Sequence, residues 1–372
     1  MAALSEPLTS DPKGLPSKMN EGGRPKKGYL PSLDGWRAIA ILSVIQFHDR
    51  LYQFGWLSNG WIHDYGATGV DLFFAISGYL ICSRLLSEDE KQGFISLRGF
   101  YIRRCFRIMP AAWLYLAVYA SLSLANLLPR DWGGLLTSLL MVRNFWVWHV
   151  GDQPSLWYTI HFWSLSVEEH FYLLLPGLLV LVARRKRLMA TAILALLSTI
   201  WALCIVRFGY MPTPGVPLRT DYRLCELMVP AFLAILLARE RAREFVIRWL
   251  SPWVAFSLFA SLLLVGTYIK TISPLAVIIG FPLIVIATVH HPLSWTTSVL
   301  ELPFLRFIGR ISYSLYLWQQ LFFLLGHQRA SWPVSVLQYA PWNYLAAFTC
   351  AISSYYLIER PMIRLGHKFA SH

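Results

Sequence analysis

The stretch SLDGWRAIAILSVIQFHDR, residues 32–50, is apolar enough for a membrane helix yet carries Asp34, Arg37, His48 and Asp49. Arg37 and His48 are eleven residues apart, which on an α-helix is within roughly 20° of three full turns and about 16 Å of rise. Both side chains therefore lie on one face, and Asp34 can pair with Arg37. Ionisable groups inside a membrane are costly and usually face a polar cavity that has a function. The structural alternative is a histidine that caps its helix or hydrogen-bonds a neighbour.

A second group of ionisable residues lies in HFWSLSVEEHFYLLLP, residues 161–176, at the start of another apolar helix. The group comprises His161, Glu168, Glu169 and His170. Adjacent glutamates on a helix point about 100° apart, so at most one of the two faces a given cavity squarely. Because an unpaired buried charge is strongly destabilising, a purely structural role would require partners for both carboxylates.

Three arginines in FYIRRCFRIMP, residues 100–110, lie immediately before the third predicted membrane helix. Arg103 and Arg107 share a helix face and, with Arg104 beside them, form a fork that can bind phosphate groups bidentately. The alternative is the ordinary excess of positive charge on the cytoplasmic side, with contacts to lipid headgroups.

Further carboxylates occupy helix ends. Asp71 begins the helix GVDLFFAISGYLIC, where the helix dipole favours a carboxylate whether or not it has a function. Glu226 lies within a helix predicted to begin at Tyr222, and Glu359 precedes Arg360 at the end of the last helix. For Glu359 the alternative is a simple interfacial ion pair with Arg360.

The composition indicates that these residues are positioned by a membrane protein. Of 372 residues, 56% are hydrophobic and 14% are charged, whereas a soluble domain has about 25% charged residues. The net charge of +13 comes from basic clusters between apolar runs, where positive loops fix membrane orientation, so nucleic-acid binding is not expected. The five cysteines form no CxxC motif, and neither a disulfide framework nor a metal site is predicted.

The predicted fold is all-α, a polytopic membrane protein of about ten transmembrane helices plus one re-entrant or interfacial segment. The predicted spans are 34–54, 67–86, 108–128, 163–183, 188–207, 222–238, 252–269, 274–290, 308–326 and 342–360. Basic segments 87–107 and 184–187 can share a side only if an even number of crossings separates them. The run 132–149, which contains Arg143 and Asn144, is therefore predicted not to cross.

Loop charge also predicts that both termini are cytoplasmic. Residues 1–30 are rich in Pro, Gly, Ser and Lys and are predicted to be a disordered basic cytoplasmic tail. Residues 31–365 form the predicted membrane domain, and 366–372 a second cytoplasmic tail.

Six sequence blocks in chain order resemble those of the acyltransferase-3 family of integral membrane O-acyltransferases. They are LDGWRAIAILSVIQFH, GVDLFFAISGYLI, RRCFRIMP, WSLSVEEHFYLLLP, ISYSLYLWQQ and SYYLIERP. The resemblance implies that 31–365 is an acyltransferase domain of a bacterial inner (plasma) membrane. It also implies O-acylation of surface polysaccharides, glycolipids, lipids or macrolides, with acyl-CoA, foremost acetyl-CoA, as donor substrate and with no permanently bound cofactor.

The resemblance assigns roles to residues of the first and third blocks. The family's essential arginine and histidine match Arg37 and His48, and its donor-binding arginines match Arg103, Arg104 and Arg107. His48 is thus predicted to deprotonate the acceptor hydroxyl, Arg37 to hold the CoA phosphate or pantetheine arm, and the other three arginines to bind the nucleotide phosphates.

The remaining candidate residues are carboxylates and aromatic side chains. The carboxylate of the WSLSVE block falls on Glu168 and that of the IE-P ending on Glu359. Glu168 or Asp71 would orient the imidazole or the acceptor, and Glu359 would contact substrate. Trp163 and Tyr313 are predicted to contact the acceptor, with ordinary aromatic packing as the alternative for each.

This chain departs from the family pattern at two positions. Family members often carry histidine after LYLW, where this chain has Gln319. The block around Glu226 is usually richer in small residues than RLCELMVPAF, which puts acceptor contacts there in doubt. Some members append a soluble esterase-like domain, and none is expected here.

Two other classes of function compete with acyl transfer. Arg37, His48 and Glu168 would also serve as a proton relay in a transporter for an exported glycan or glycolipid. The absence of an internal sequence repeat weakens that hypothesis. The second alternative is a non-enzymatic scaffold in a polysaccharide export complex, for which loss of the His48 imidazole would leave function intact.

Overall fold

A computed structural model describes residues 30–49, 68–150, 156–209, 216–269, 273–323 and 330–370. The predicted tail at 1–30 lies outside this range except for its last residue, as do 371–372 of the second tail. Within these ranges the chain folds into helices and turns with no β-strand. The all-α class is therefore confirmed for the part of the chain that is described.

Sixteen α-helices are numbered here in chain order. They are α1 Pro31–His48, α2 Gly69–Gln92, α3 Leu97–Leu124, α4 Trp132–Leu139, α5 Arg143–Val150, α6 Trp157–Ile160, α7 Phe162–Leu181, α8 Arg187–Phe208, α9 Thr220–Leu237, α10 Glu240–Trp249, α11 Pro252–Tyr268, α12 Phe281–His290, α13 Trp295–Leu300, α14 Pro303–Phe322, α15 Trp342–Ser354 and α16 Arg360–Ala370. A short helix, Ser273–Leu275, and π-helical turns at Ala276–Gly280 and Tyr355–Glu359 complete α12 and join α15 to α16. Short 3₁₀ turns lie at Arg184–Lys186, Val216–Leu218 and Val334–Gln338.

Four helical segments are long and apolar enough to cross a membrane, namely Gly69–Gln92, Leu97–Leu124, Trp157–Leu181 and Arg184–Phe208. A fifth candidate is the pair formed by α10 and the first part of α11, which is bent by 79°. The protein is thus a helical membrane protein, but the predicted count of about ten spans is not confirmed. The difference arises because several predicted spans are shorter, more polar or broken in the structure.

The run 132–149 folds as two separate eight-residue helices, α4 and α5. Neither helix approaches the roughly 20 residues that a single crossing needs. Asp131 caps α4 by accepting a 2.7 Å hydrogen bond from the Gly134 amide, and the Arg143 guanidinium donates to Asp131 at 3.0 Å. These contacts fold the run back on itself, in keeping with the prediction that it does not cross as one helix.

Two basic segments meet at one end of the bundle. The Asp89 carboxylate, near the end of α2, accepts 2.7 Å hydrogen bonds from both Arg184 and Arg187. Arg184 also donates to the Gly93 carbonyl at 2.5 Å. The segments 87–107 and 184–187 therefore lie on the same side of the bundle, as the even number of crossings between them requires.

Close backbone contacts fix the helices that surround the site. α1 packs chiefly against α14 and α2, and α9 packs against α2 and α8. A side chain at Gly309 of α14 would overlap the backbone of Asp34, and one at Gly78 of α2 would overlap the Leu227 carbonyl. Glycine at these two positions therefore permits the close approach of the helices.

The last helices combine a π-helical turn with an amphipathic helix. α15 passes through the π-helical turn Tyr355–Glu359 into α16, which packs along α3. The rings of Phe106 and Phe369 lie 5.6 Å apart across that contact. Residues 366–370 of the predicted tail therefore belong to α16 and not to an extended chain.

The shared end of the bundle gives a topology prediction. In a cysteine-free background, we expect cysteines at Lys91 and Lys186 to react with a membrane-impermeant maleimide only in inside-out vesicles, since both positions lie in the basic segments. A cysteine at Ala125, just beyond the opposite end of α3, should react only in intact cells. Labelling of Lys91→Cys and Ala125→Cys from the same side would contradict this orientation.

Candidate active site

A cavity lies within the bundle, among α1, α2, α3, α7 and α14. Its polar lining residues are Arg37, Ser77, Arg104, Arg107, Ser164, Glu168, Tyr172, Ser312, Tyr313 and Tyr316. Five of the predicted site residues, Arg37, Arg104, Arg107, Glu168 and Tyr313, therefore share one cavity. They come from four different helices, and their sequence positions alone do not bring them together.

The Glu168 carboxylate is held in a defined position in the wall of this cavity. It accepts a 2.7 Å hydrogen bond from the Ser77 hydroxyl and a 3.0 Å hydrogen bond from the Tyr172 hydroxyl. The Arg104 guanidinium lies over the Tyr172 ring, 5.1 Å from its centroid. Glu168 thus faces the cavity, as expected for one of the two adjacent glutamates, and has oxygen atoms available to orient a bound hydroxyl group.

Three arginines and one carboxylate, that of Glu168, line the cavity. Arg37 pairs with Asp34 at 3.0 Å, as the three-residue spacing predicts. Among the described residues, Arg104 and Arg107 have no carboxylate within 4.0 Å. Because unpaired guanidinium groups in a membrane protein usually mark a functional site, this pair suits a polyanionic ligand.

Two further cavities continue from the first toward α16. One is lined by Arg84, Arg103, Arg104 and Arg107 together with Glu88 and His367. The other is lined by Arg37, Arg84, Arg107 and Arg310 together with Asp34 and Glu359. Arg107 lines all three cavities, so it stands at their junction.

Arg103 and Arg84 extend this basic surface. Arg103 lines the second cavity with Arg107, as the predicted fork requires, and pairs with Glu88 at 3.2 Å. Arg84 lines the second and third cavities and was not predicted as a site residue, although it carries the right charge. The arginines also lie inside a continuous helix, because α3 begins at Leu97 and not near residue 108.

Glu359 belongs to the third cavity and not to an interfacial ion pair. Its side chain is 3% exposed, and its carboxylate accepts a 2.9 Å hydrogen bond from the Ser314 hydroxyl. The Arg360 guanidinium instead lies over the Tyr356 ring. The simple pairing of Glu359 with Arg360 is therefore wrong, and Glu359 faces the cavity that holds Arg37 and Arg107.

His48 is the last residue of α1, which ends six residues before the predicted boundary at 54. Residues 50–54 of that predicted span lie outside the described residues. The Nδ1 atom of His48 is 2.9 Å from the Gln319 side-chain oxygen, and the ring meets the Trp157 ring edge-on with centroids 5.2 Å apart. His48 is not among the residues that line the first cavity.

The hydrogen bond to His48 corrects one expectation. Glu168 or Asp71 was predicted to orient the imidazole or the acceptor, but it is Gln319 that contacts the imidazole. Orientation of the acceptor by Glu168 or Asp71 stays a prediction. The spacing of Tyr313, Tyr316 and Gln319 at three-residue intervals places them on one helix face. That pattern was the available signal for Gln319 and for Tyr316, which lines the cavity.

Asp71 lies outside the cavity, in a separate cluster of charged residues. One nitrogen of Arg223 donates 2.7 Å hydrogen bonds to both Asp71 and Glu226. Trp163 packs beneath the Arg223 guanidinium, 5.3 Å from it, and against the Phe74 ring. Arg223 was not predicted, since nothing in the sequence links α9 to Asp71.

The contacts of Trp163 and Tyr313 differ. The Tyr313 hydroxyl donates a 2.7 Å hydrogen bond to the Ile108 carbonyl while the side chain lines the first cavity. Trp163 is not among the residues lining that cavity. Its contacts with Arg223 and Phe74 agree with the alternative given above, in which Trp163 packs against other side chains and does not contact the acceptor.

Comparison with known proteins gives a consistent set of relatives. A family model described as "Acyltransferase domain", that of the acyltransferase-3 family, matches residues 30–360. The peptidoglycan O-acetyltransferase OatA of Listeria monocytogenes is 31% identical over 384 aligned positions, covering 94% of this chain and 58% of the relative. A Staphylococcus aureus protein provisionally named O-acetyltransferase SACOL0978 is 33% identical over 319 positions, covering 79% of this chain and 50% of the relative. The chain thus spans about half the length of these relatives, and no solved structure matches it.

Proposed function

This chain belongs to the acyltransferase-3 family, and we propose that it is a membrane O-acyltransferase that moves an acetyl group from acetyl-CoA to a carbohydrate hydroxyl group. The observation that carries the proposal is the pair of guanidinium groups of Arg104 and Arg107, which line a cavity inside the bundle and form no ion pair within 4.0 Å among the described residues. CoA supplies the phosphate charges that such a site binds.

The proposed donor path runs through the three cavities that meet at Arg107. The nucleotide phosphates bind Arg84, Arg103 and Arg107 at the α16 end, which loop charge predicts to be cytoplasmic. The pantetheine arm follows the first cavity past Arg37 toward Tyr316. This direction is supported by the position of Tyr316 one helical turn before Gln319, which contacts His48.

The proposed reaction uses His48 as general base. Its Nε2 atom takes the proton of the acceptor hydroxyl as the oxygen attacks the thioester carbonyl carbon. The new C–O ester bond forms, the C–S bond breaks, and the thiolate leaves as CoA–SH after receiving the proton from Nε2. Glu168, held by Ser77 and Tyr172, orients the acceptor, and Glu359 contacts substrate from the third cavity.

The acceptor that we propose is a surface or exported polysaccharide or a lipid-linked sugar. The printed name of the Listeria relative specifies peptidoglycan, which makes glycan strands the first class to test. The carbohydrate approaches from the end of the bundle opposite α16, or laterally from the membrane, while the donor enters at α16. Trp163, which lies in the cluster around Arg223, is also proposed to contact the acceptor.

The reaction can be tested with the purified protein in nanodiscs, supplied with acetyl-CoA and soluble peptidoglycan fragments. We expect release of the CoA thiol that depends on the glycan, together with glycan molecules that gain one acetyl ester by mass spectrometry. A transporter or a scaffold would produce neither. Absence of both products from folded protein that binds acetyl-CoA would overturn the proposal.

The donor site is tested by a substitution at the junction of the cavities. Arg107→Ala should weaken acetyl-CoA binding about 10- to 150-fold, or about 1.5–3 kcal/mol, the range for charge-assisted hydrogen bonds. Calorimetry on protein in nanodiscs measures this change. The matched control is Arg98→Ala, on the same helix but exposed and outside the cavities. Equal affinities for the two variants would leave lipid-headgroup contact as the role of Arg107.

A further inference from the structure

A chain of hydrogen bonds extends from His48 into the protein interior. The Nδ1 atom of His48 lies 2.9 Å from Oε1 of Gln319, and Nε2 of Gln319 donates to Oε1 of Gln320 at 3.0 Å. Nε2 of Gln320 then donates to the Trp157 carbonyl at 2.9 Å. Both glutamine side chains are fully buried, so water does not compete for these contacts.

The direction of every hydrogen bond in the chain follows from its last acceptor. A backbone carbonyl can only accept, so Gln320 must turn its NH₂ group to Trp157 and its oxygen to Gln319. Gln319 must therefore turn its own NH₂ group to Gln320. The Tyr316 carbonyl, 3.4 Å from the same nitrogen of Gln319, requires the same orientation independently. The Gln319 oxygen is left facing His48, where only an N–H group can be its partner.

This orientation selects one form of the neutral imidazole. A neutral histidine carries one N–H group. A hydrogen-bond acceptor that faces one ring nitrogen requires that nitrogen to carry the proton. With Nδ1 protonated toward Gln319, the lone pair lies on Nε2. We propose that Gln319 and Gln320 are positioning residues that hold His48 in the Nδ1–H tautomer and so keep Nε2 free to accept the hydroxyl proton. This inference rests on the proposed role of His48 as base.

The surroundings make the alternative arrangement costly. If the Gln319 amide were reversed, its oxygen would face the oxygen of Gln320, and its NH₂ group would lose both acceptors. A buried polar group left without a partner is strongly destabilising. Trp157 limits movement of the chain further, because its indole N–H donates to the carbonyls of Gln320 and Phe323 at 3.2 and 3.1 Å while its ring packs against His48.

The tautomer itself can be measured without activity. Protein labelled with ¹⁵N in its histidine rings, placed in nanodiscs at neutral pH, gives proton–nitrogen correlation patterns that identify the protonated ring nitrogen. The His48 signals are assigned by their loss in His48→Asn. We expect Nδ1–H in the wild-type protein and a shift of the population toward Nε2–H in Gln319→Met. An Nε2–H tautomer in the wild-type protein would overturn the inference.

Kinetics supply the second measurement. Gln319→Met should lower kcat about 10- to 100-fold, the usual range for a partner that orients a functional histidine, and change KM for acetyl-CoA by less than about threefold, because the donor site is untouched. Gln320→Met should act in the same direction with a smaller effect. The matched control is Gln338→Met, a half-buried glutamine bonded to Ala330 and Leu321, with kcat expected to be unchanged.

The spectra and the kinetics together distinguish failure of the proposed base from failure of the proposed positioning role. If His48→Asn transfers the acyl group at the wild-type rate, His48 is not the base. The spectra would still show which ring nitrogen of His48 is protonated. If Gln319→Met and Gln338→Met lower kcat equally, or if Gln319→Met acts only through KM, the positioning role is wrong. The spectrum of the wild-type protein decides the inference even if Gln319→Met fails to fold.

Discussion

Replacing His48 with asparagine is expected to lower acyl transfer by about 10²- to 10⁴-fold, the contribution of a positioned general base. The asparagine side chain can form hydrogen bonds but cannot take a proton from the attacking hydroxyl group. The fold and donor binding should persist, since the arginines that line the cavities lie elsewhere on α2 and α3 and on the first half of α1. A larger loss would indicate a covalent acyl-histidine intermediate as well.

The measurement is single-turnover transfer from acetyl-CoA to glycan by protein in nanodiscs. His170→Asn is the matched control, because His170 is half-buried and its Nδ1 atom lies 2.7 Å from the Thr220 hydroxyl, apart from the cavity. We expect this variant to keep its activity within about threefold, as a residue without catalytic contact should. If His48→Asn retains more than about a tenth of the wild-type rate, well short of the general-base range, His48 is structural. The base would then be sought at Glu168 or Glu359.

Replacing Arg223 with methionine is expected to destabilise the protein by about 3–5 kcal/mol, the cost of removing one partner from a buried ion pair. The change leaves the carboxylates of Asp71 and Glu226, which are 7% and 6% exposed, without their shared cation. Since Asp71 is on α2 and Glu226 is on α9, the contact between these two helices should weaken. Unfolding by denaturant in mixed micelles measures the change in free energy.

Arg219→Met is the matched control for this prediction. Arg219 also pairs with an aspartate, Asp221 at 2.7 Å, but both side chains are about one-third exposed. An exposed ion pair contributes at most about 1 kcal/mol. Equal destabilisation by the two variants would show that the Arg223 cluster is no more than a surface pair. Activity lost from Asp71→Asn at unchanged stability would instead favour the predicted catalytic role of Asp71.

Contacts within one helix were predictable from spacing. Asp34 pairs with Arg37 because the two are three residues apart on α1. Arg103 and Arg107 share a face because they are four residues apart on α3. The same geometry gave the expectation that at most one of Glu168 and Glu169 faces the cavity squarely, and the family resemblance pointed to Glu168. Helical periodicity fixes these relations before any other helix is placed.

Contacts between helices were not predictable in this way. The meeting of Arg107 with Arg37 and Glu359 around one cavity depends on how α1, α3 and the turn after α15 pack. Gln319 was noted only as a departure from the family pattern, because an amide carries no charge to mark it. Its importance depends on a contact with His48, 271 positions away.

The predicted number of spans is not confirmed, and the reason is physical. Hydropathy recognises apolar runs of about 20 residues, but it does not show whether a run forms one straight helix. The predicted span 274–290 is a short helix, a π-helical turn and the ten-residue α12. The predicted span 34–54 is helical only to His48 within the described residues.

The π-helical turn Tyr355–Glu359 makes the spacing of the last sequence block sensitive to insertion and deletion. A π-helical turn holds one residue more than the α-helix around it. Deleting one residue there would restore regular α-helical geometry and rotate everything after it by about 100° relative to α15. Either Glu359 would leave Ser314, or Phe369 would leave Phe106. The number of residues in the turn therefore fixes the rotation of the amphipathic α16 relative to the cavity. In related sequences we expect substitutions in this block to be far more common than insertions or deletions.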